Sequence, residues 1–215
     1  MNPCVTSQLT WPVLSNSTGC SSYVLQAINS ARKIEGLGPM VLPKNWYRLT
    51  SAEQLFVVID LERVARGLPA YLGINSALSA QAMYAAKRGA DPGLARGFRV
   101  SSDPGGTPAM GGSWSGGFSS LAADYIWMYD DGWAGSSNAT SNVACLSASS
   151  SGCWAHRDEL LGADPGYNPG VGLYCSTCEV GVARATWGGS SSWVVLIERP
   201  QGTIPKMIFT WAKNR

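Results

Sequence analysis

Apolar residues recur at helical spacing near the start of the chain. Val24, Ile28 and Ala31 stand three or four positions apart, which places them on one face of a helix predicted over about residues 23–34. The run Gly36-Leu37-Gly38-Pro39 follows directly. Because glycine and proline commonly follow the last turn of a helix, we expect this run to end it.

A second helix is predicted from Thr50 to about Arg66, with clearer signals at both ends. Thr50 and Glu53 have the spacing of a capping box, in which two side chains satisfy free N–H groups of the first turn. Gly67 marks the expected stop. The wide apolar face of this helix consists of Leu55, Val58, Ile59 and Leu61.

The pattern in the middle of the chain changes from helix to loop and back. A third helix is predicted over about residues 76–88, and its small inward residues allow close packing against a neighbour. Residues 89–117 are rich in glycine and proline, and form either a linker between domains or a glycine-rich wall around a site. A fourth helix is predicted over about 118–129, and a Ser/Asn/Gly loop over 132–152.

Strand patterns dominate only after residue 170. Two strands, over 171–175 and 178–183, are predicted to pair across a tight Ser-Thr turn, and two more are predicted over 192–197 and 204–211. Helices followed by strands predict an α+β fold. We expect helices in the N-terminal two thirds and a small, largely antiparallel sheet formed mainly by the C-terminal third.

The overall composition excludes several classes of protein. The chain has 215 residues, a length typical of one globular domain. Its net charge is only +2 and it contains no run of Lys or Arg, so nucleic acid is not an expected partner. No apolar run reaches the ~18 residues that a membrane span needs. We expect the protein to act as a monomer.

Six cysteines indicate the compartment. Local pairing is the simplest of the fifteen possible connectivities, and would join Cys4 to Cys20, Cys145 to Cys153 and Cys175 to Cys178. Zinc binding at the last pair is the alternative, although no second Cys-x-x-Cys and no nearby histidine accompany it. An even number of cysteines, in a chain poor in charge and rich in glycine and serine, favours an oxidising environment, so we expect secretion.

The only histidine, His156, is the first candidate for chemistry near neutral pH. It follows Cys153 by three positions, in a short run with helical character. Glu159 lies one helical turn further on and shares its face. A purely structural histidine is the alternative interpretation.

Several motifs occur in a characteristic order. The first is Asp60-Leu61-Glu62-Arg63 with Gly67-Leu68, and an alanine-rich helix from Leu78 to Ala86 follows it. Then come Trp127-Met128-Tyr129-Asp130, and Cys145 to Cys153 with His156-Arg157. Over roughly residues 50–200 this order resembles the CAP superfamily: cysteine-rich secretory proteins, insect antigen 5 and plant pathogenesis-related proteins of class 1.

An earlier segment, Ile28 to Arg32 with Gly36-Leu37, is similar to the first motif as well. We favour the later segment because the alanine-rich helix follows it directly. The resemblance implies a CAP-like α-β-α sandwich over residues 50–215. Residues 1–49 would then be an N-terminal extension, with a disulfide loop and a helix packed on the domain, and the whole chain would form one globular unit.

The chain departs from this family at the site itself. The family's site has two histidines and two glutamates. His156 matches the second histidine and Asp130 one glutamate, while Gly112-Ser113-Trp114 stands where the other glutamate is expected. The first histidine has no counterpart, so a two-histidine metal site is impossible and we expect neither a metal nor another cofactor.

The remaining residues provide candidate acid–base chemistry. His156 with Asp130 is the best imidazole–carboxylate pair, and the adjacent Asp131 is an alternative partner. Glu159 adds a second carboxyl, and two carboxyls around one cleft are what glycoside hydrolysis needs. A structural ion pair in a cleft is the alternative.

Candidate binding residues surround these groups. The tryptophans near the motifs are Trp114, Trp127, Trp133 and Trp154, and flat aromatic rings suit sugars or apolar ligands. We expect Trp127 to be core and Trp133 to be exposed. Ser113, in a glycine-rich run, is a candidate ligand contact and a less favoured nucleophile.

Two functions follow from these residues. The first is a secreted CAP-like domain that binds an apolar or carbohydrate ligand in a cleft around His156, without turnover. The alternative is a hydrolase acting on polysaccharide, with His156, Asp130 and Glu159 as acid–base groups.

Overall fold

The computed structural model describes residues 18–92, 111–116, 119–130, 155–162, 175–200 and 204–210. Helices occupy Thr18–Ile34 (α1), Ser51–Ala65 (α2), Ser76–Ala86 (α3), Ser120–Tyr125 (α4) and Ala155–Leu161 (α5). A π-helical segment, Ile126–Asp130, continues α4, and a 3-10 turn spans Trp46–Arg48. Strands occupy Gly111–Gly116 (β1), Glu179–Trp187 (β2) and Ser190–Glu198 (β3).

The predicted end signals of α2 are present in the structure. The Glu53 backbone N–H donates to Thr50 Oγ1 at 3.3 Å, and the Thr50 N–H donates to Glu53 Oε2 at 2.7 Å, which completes the capping box. Gly67 follows the last turn in the left-handed region, with φ +75°. The helix therefore begins and ends where the sequence indicates.

The three strands form one antiparallel sheet in the order β1-β3-β2. Gly188 and Gly189 join β2 to β3, with φ values of 57° and 81°. A two-residue turn with positive φ at both positions matches the twist of a hairpin, and glycine adopts this conformation without strain. A mixed fold of helices and a small antiparallel sheet agrees with the α+β prediction.

The strand predictions and the structure differ. A hairpin turn that was not predicted lies at Gly188-Gly189 and joins β2 to β3. Most of the predicted strand over 171–175 lies outside the described residues, so its pairing across the Ser-Thr turn is still a prediction. Residues 204–210 contribute a single bridge, Ile74 to Phe209, instead of a strand. The glycine-rich segment supplies β1, which was not predicted because it lacks the β-branched residues typical of strands.

Helices pack against both faces of the sheet. On one face, Leu78 and the alanines of α3 contact Ala183, Val194 and Leu196. The opposite face packs against a larger core that includes residues of the other four helices. Its sheet residues are Val180, Val182, Trp193, Val195 and Ile197. Alternate residues of a strand point to opposite faces of the sheet, and helices cover both faces. Strands β2 and β3 therefore bury apolar side chains on both faces.

Helix α3 approaches β2 unusually closely, at Gly181. A Cβ atom on Gly181 would lie 2.4 Å from the Leu78 backbone carbon. A side chain at Gly181 would therefore push the helix away from the sheet. The small inward residues of α3, which we expected to allow close packing against a neighbour, pack against this face of the sheet.

The N-terminal helix belongs to the larger core of the described residues. Val24, Ile28 and Ala31 of α1 are buried in the same core as residues of α2 and α4. Cys175 and Cys178 form a disulfide with both residues buried, which excludes their thiolates as zinc ligands in this state. The pairings of the other four cysteines lie outside the described residues. None of the described helices is long and apolar enough to span a membrane.

Candidate functional site

Strand β1 and helix α5 bring two of the candidate residues together. Ser113 lies opposite Val195 of β3 and shares its face of the sheet. Its hydroxyl donates a hydrogen bond of 2.6 Å to Glu159 Oε2, across 46 residues of sequence. Ser113 is 1 % exposed and Glu159 is partly buried, so the bond forms at the inner edge of the site.

His156 lies one turn before Glu159 on α5 and is also partly buried. Burial raises the pKa of Glu159, while the Ser113 hydrogen bond and the nearby imidazole lower it. The Glu159 carboxyl and the His156 imidazole are therefore close enough to interact electrostatically. The structure thus supports the placement of both residues on one helical face.

Asp91 joins this group from the loop after α3. Its Oδ1 accepts a 2.8 Å hydrogen bond from the Trp114 backbone N–H, on the free edge of β1. Its charge also raises the pKa of Glu159. We refer to Ser113, His156, Glu159 and Asp91 as the Glu159 cluster. Sequence reasoning missed Asp91, which stands in an Asp-Pro-Gly run that indicated only a turn.

Asp158 brings a further carboxyl next to the cluster. Burial raises the pKa of Asp158 to about 6, and the adjacent Arg157 guanidinium opposes the rise. Its charge raises the pKa of Glu159 as well. Helix α5 therefore carries an imidazole and two carboxyls with raised pKa values within one turn.

Trp114 does not take part in the cluster. It follows Ser113 in β1 and therefore points to the opposite face of the sheet, where it packs against the core under α3. Its indole N–H donates to Ser192 Oγ at 2.8 Å, and its ring meets Trp187 edge to face with centroids 6.1 Å apart. The predicted ligand contact at Trp114 is thus separated from Glu159 by the sheet.

The structure describes only some of the other predicted site residues. Trp127 is fully buried and is core, as predicted, and its indole N–H donates to the Trp114 carbonyl at 3.0 Å. Asp130 ends the π-helical segment. Its side chain lies outside the described residues, as do Asp131, Trp133 and Trp154. The Asp130–His156 pair is therefore still a prediction.

A buried group of ion pairs holds α5 in place. Arg157, next to His156, donates to both Glu35 carboxylate oxygens, at 2.5 and 3.1 Å. Arg66 also contacts Glu35, at 2.6 Å, and Glu62, at 2.5 Å. Arg32 binds Glu62 at 2.6 Å from the other side. We call these five residues the arginine network, and it ties α1, α2 and α5 together.

A completely buried carboxyl, that of Asp124, lies beside this network. Asp124 is completely buried, and within the described part of the chain neither of its oxygens has a hydrogen-bond partner. Burial raises its pKa well above the ordinary value, and the Glu62 carboxylate raises it further. Arg66 and Arg32 oppose the rise. Burial without a hydrogen-bond partner among the described residues disfavours the charged form of this carboxyl.

The Asp60-x-x-Arg63 motif has a structural role. Arg63 donates to the carbonyls of Pro69, Leu161 and Cys175, and its guanidinium lies 3.8 Å from the centroid of the Tyr71 ring. Asp60 accepts a 2.8 Å hydrogen bond from the Tyr71 backbone N–H. The motif therefore fixes the end of α5 and the disulfide loop, and is not part of the Glu159 cluster.

The Glu159 cluster combines a hydroxyl, an imidazole and acidic groups at the edge of the sheet. Such a set can exchange hydrogen bonds with sugar hydroxyls, and burial raises the pKa of Glu159, which favours its protonated form. Among the described residues, no three His, Cys, Asp or Glu side chains are placed to hold a metal ion. No protein-family model matches the chain, and neither a characterised protein nor a solved structure matches it.

Proposed function

We propose that the chain is a secreted CAP-like domain, an α-β-α sandwich, that binds a carbohydrate or apolar ligand in a cleft at the Glu159 cluster without turning it over. The order of sequence motifs supports the family, and helices on both faces of the sheet are compatible with its architecture. The single observation that supports the site is the 2.6 Å hydrogen bond from Ser113 to Glu159 beside His156.

The chemistry of the cluster favours a carbohydrate over an apolar ligand. Hydroxyl, imidazole and carboxyl groups can all exchange hydrogen bonds with sugar hydroxyls, whereas an apolar ligand would displace water from these polar groups and offer no hydrogen bond in its place. The partner that we propose is therefore a polysaccharide, bound by a monomer.

Isothermal titration against a panel of polysaccharides and apolar ligands tests this function. We expect at least one polysaccharide to bind, with Kd raised roughly tenfold in Glu159→Gln and in His156→Ala, because each variant alters or removes a hydrogen-bonding group of the cluster. Lys87→Gln, an exposed change at the end of α3, is the matched control and should bind normally. Binding that is equal in all four proteins, or absent from the whole panel, would refute the proposal.

One observation favours hydrolysis as the alternative function. Burial raises the pKa of Glu159 and, to about 6, that of Asp158, and a general acid must hold its proton near the working pH. If the protein is a glycoside hydrolase, new reducing ends should appear on at least one polysaccharide. Their rate should fall at least ~100-fold in Glu159→Gln. A panel without product excludes the hydrolase and leaves the binding proposal standing.

A further inference from the structure

A cavity of about 180 Å³ lies apart from the Glu159 cluster, with none of its residues in the lining. It opens between α1, the 3-10 turn, the first turns of α2 and α4, and the part of the sheet that carries Arg184 and Trp193. The residues that matter for its chemistry are Trp46, Tyr47, Ser51, Gln54, Ser119 and Arg184. Nothing in the proposed function uses this cavity.

The lining is polar and already oriented. The Gln54 amide donates to the Trp46 carbonyl at 3.1 Å and accepts from Ser120 Oγ at 3.2 Å. These two bonds fix the amide and leave one N–H and one oxygen lone pair for a ligand. Ser119 Oγ accepts from the Ala122 N–H at 3.1 Å, so its own O–H is available to donate.

A cationic side chain, that of Arg184, lines the cavity. Arg184 lies directly opposite Trp193 on the same face of the sheet. Its Nε and Nη2 atoms donate to Ser191 Oγ at 3.1 and 2.7 Å, which holds the guanidinium in position and leaves Nη1 free of that bond. Among the described lining residues, Arg184 carries the only charge. A fixed guanidinium without a competing carboxylate selects for an anion.

Aromatic rings complete the cavity. Trp46 is 3 % exposed and forms part of the wall, whereas Tyr47 is 68 % exposed at its edge. Aromatic rings of this kind supply flat contact area for an apolar ligand surface. The C–H face of a sugar ring has this shape, while its hydroxyls suit the serines and the glutamine amide. A bare inorganic anion would use the arginine alone.

We propose that this cavity binds a carboxylate-bearing sugar, such as a hexuronate unit, with its carboxylate on Arg184 and its hydroxyls on Gln54 and Ser119. The proposal does not depend on the proposed function, because the two sites share no residue. Each site can therefore fail its test without affecting the other.

Titration of the whole chain with sodium glucuronate, glucose and sodium acetate, followed by isothermal titration or ligand-detected NMR, tests the site. We expect saturable glucuronate binding that is at least roughly tenfold tighter than binding of glucose or acetate. Arg184→Gln should weaken glucuronate binding roughly tenfold and leave glucose unaffected. Arg184 is exposed, so this variant should fold normally.

Arg88→Gln is the matched control, because Arg88 is an exposed arginine just after α3 that does not line the cavity. It should bind glucuronate like the wild type. Three results overturn the proposal: no saturable binding of glucuronate below roughly 50 mM, equal affinity for glucuronate and acetate, or equal glucuronate affinity in the wild type and Arg184→Gln.

Discussion

The charge state of several single residues in this protein follows from burial. Asp60 is completely buried, and burial raises its pKa to about 7, although the Tyr71 N–H and Arg63 oppose the rise. Its second carboxylate oxygen has no hydrogen-bond partner among the described residues. A carboxyl in this setting makes the free energy of unfolding depend on pH.

Asp60→Asn should remove that dependence. Between the ordinary carboxyl pKa of 3.8 and about 7, the unfolded wild-type chain has lost this proton while the folded chain still holds it. Wild-type stability therefore falls as pH rises across this window, by up to about 1.4 kcal/mol per pH unit. The stability of Asp60→Asn relative to wild type should rise between pH 4 and 7 and then level off, as measured by urea unfolding. A difference that is constant with pH would contradict the shifted pKa.

Ser113 is a second single residue with a testable effect, because its hydroxyl influences the pKa of Glu159. Its hydrogen bond stabilises the Glu159 carboxylate and so lowers a pKa that burial raises. Ser113→Ala should therefore raise the pKa of Glu159, because it removes the hydrogen bond that stabilises the carboxylate. Side-chain carboxyl NMR over pH 3–8 measures the shift. Ser115→Ala, one step along the same strand face, is the control and should leave the pKa unchanged.

Whole elements are held by contacts that span long stretches of sequence. Helix α5 has only seven residues and is too short to be stable alone. Arg157 connects it to Glu35 beyond the end of α1, while Glu159 connects it to β1. The position of the Glu159 cluster therefore depends on the arginine network.

Glu35→Gln should loosen α5 and destabilise the fold. The change removes the charge that pairs with both Arg157 and Arg66. Breaking a fully buried pair costs about 3–5 kcal/mol, and we expect about 2–3 kcal/mol because the Glu35 side chain is 18 % exposed. Urea unfolding at pH 7 gives the value. Lys33→Gln, an exposed change two positions earlier, should cost under about 0.5 kcal/mol. Equal losses in the two variants would exclude the network as the cause.

The close contact between α3 and β2 depends on the absence of a side chain at Gly181. Gly181→Ala would place a Cβ atom against the Leu78 backbone, which cannot rotate away. We expect a loss of about 1–3 kcal/mol or more in the free energy of unfolding. Gly38→Ala is the matched control, because a Cβ there meets nothing within 4 Å, and it should be neutral or slightly stabilising. If the two alanine variants unfold at the same urea concentration, the close approach is wrong.

Across the whole molecule, Arg63 connects segments that are far apart in sequence. Its three hydrogen bonds reach carbonyls of the loop after α2, of the end of α5, and of the disulfide loop. Each of its three guanidinium nitrogens donates to a backbone carbonyl, and Arg63 is fully buried. Loss of these bonds would leave several carbonyls unsatisfied at once.

Arg63→Lys should therefore destabilise the whole domain, although it keeps the charge. An ammonium group cannot reproduce the planar set of donors that reaches three separate carbonyls. We expect a loss of about 3–5 kcal/mol in urea unfolding, with a single cooperative transition. Arg48→Lys, an exposed change in the 3-10 turn, should stay within about 0.5 kcal/mol of wild type. A loss as small as that of Arg48→Lys would show that the three bonds do not hold the domain together.

The sequence by itself determined the features that depend on neighbouring residues. The capping box at Thr50 and Glu53, the stop at Gly67 and the core position of Trp127 were all predicted, because capping and amphipathic spacing act within a turn or two. The mixture of helices with a small antiparallel sheet followed from the same local patterns. The turn at Gly188-Gly189 was also visible as a two-glycine signal and was overlooked.

Only the tertiary structure decided which distant residues meet. Strand β1 is glycine-rich and becomes a strand because β3 supplies its hydrogen-bond partners. The pairing register places Ser113 on the face of the sheet that carries Glu159, and Trp114 on the opposite face. Asp91, in the turn after α3, contacts the Trp114 backbone. The raised pKa of Asp60 likewise comes from burial by the surrounding core. Pairing and burial of this kind depend on chain segments far apart in sequence, and no local pattern encodes them.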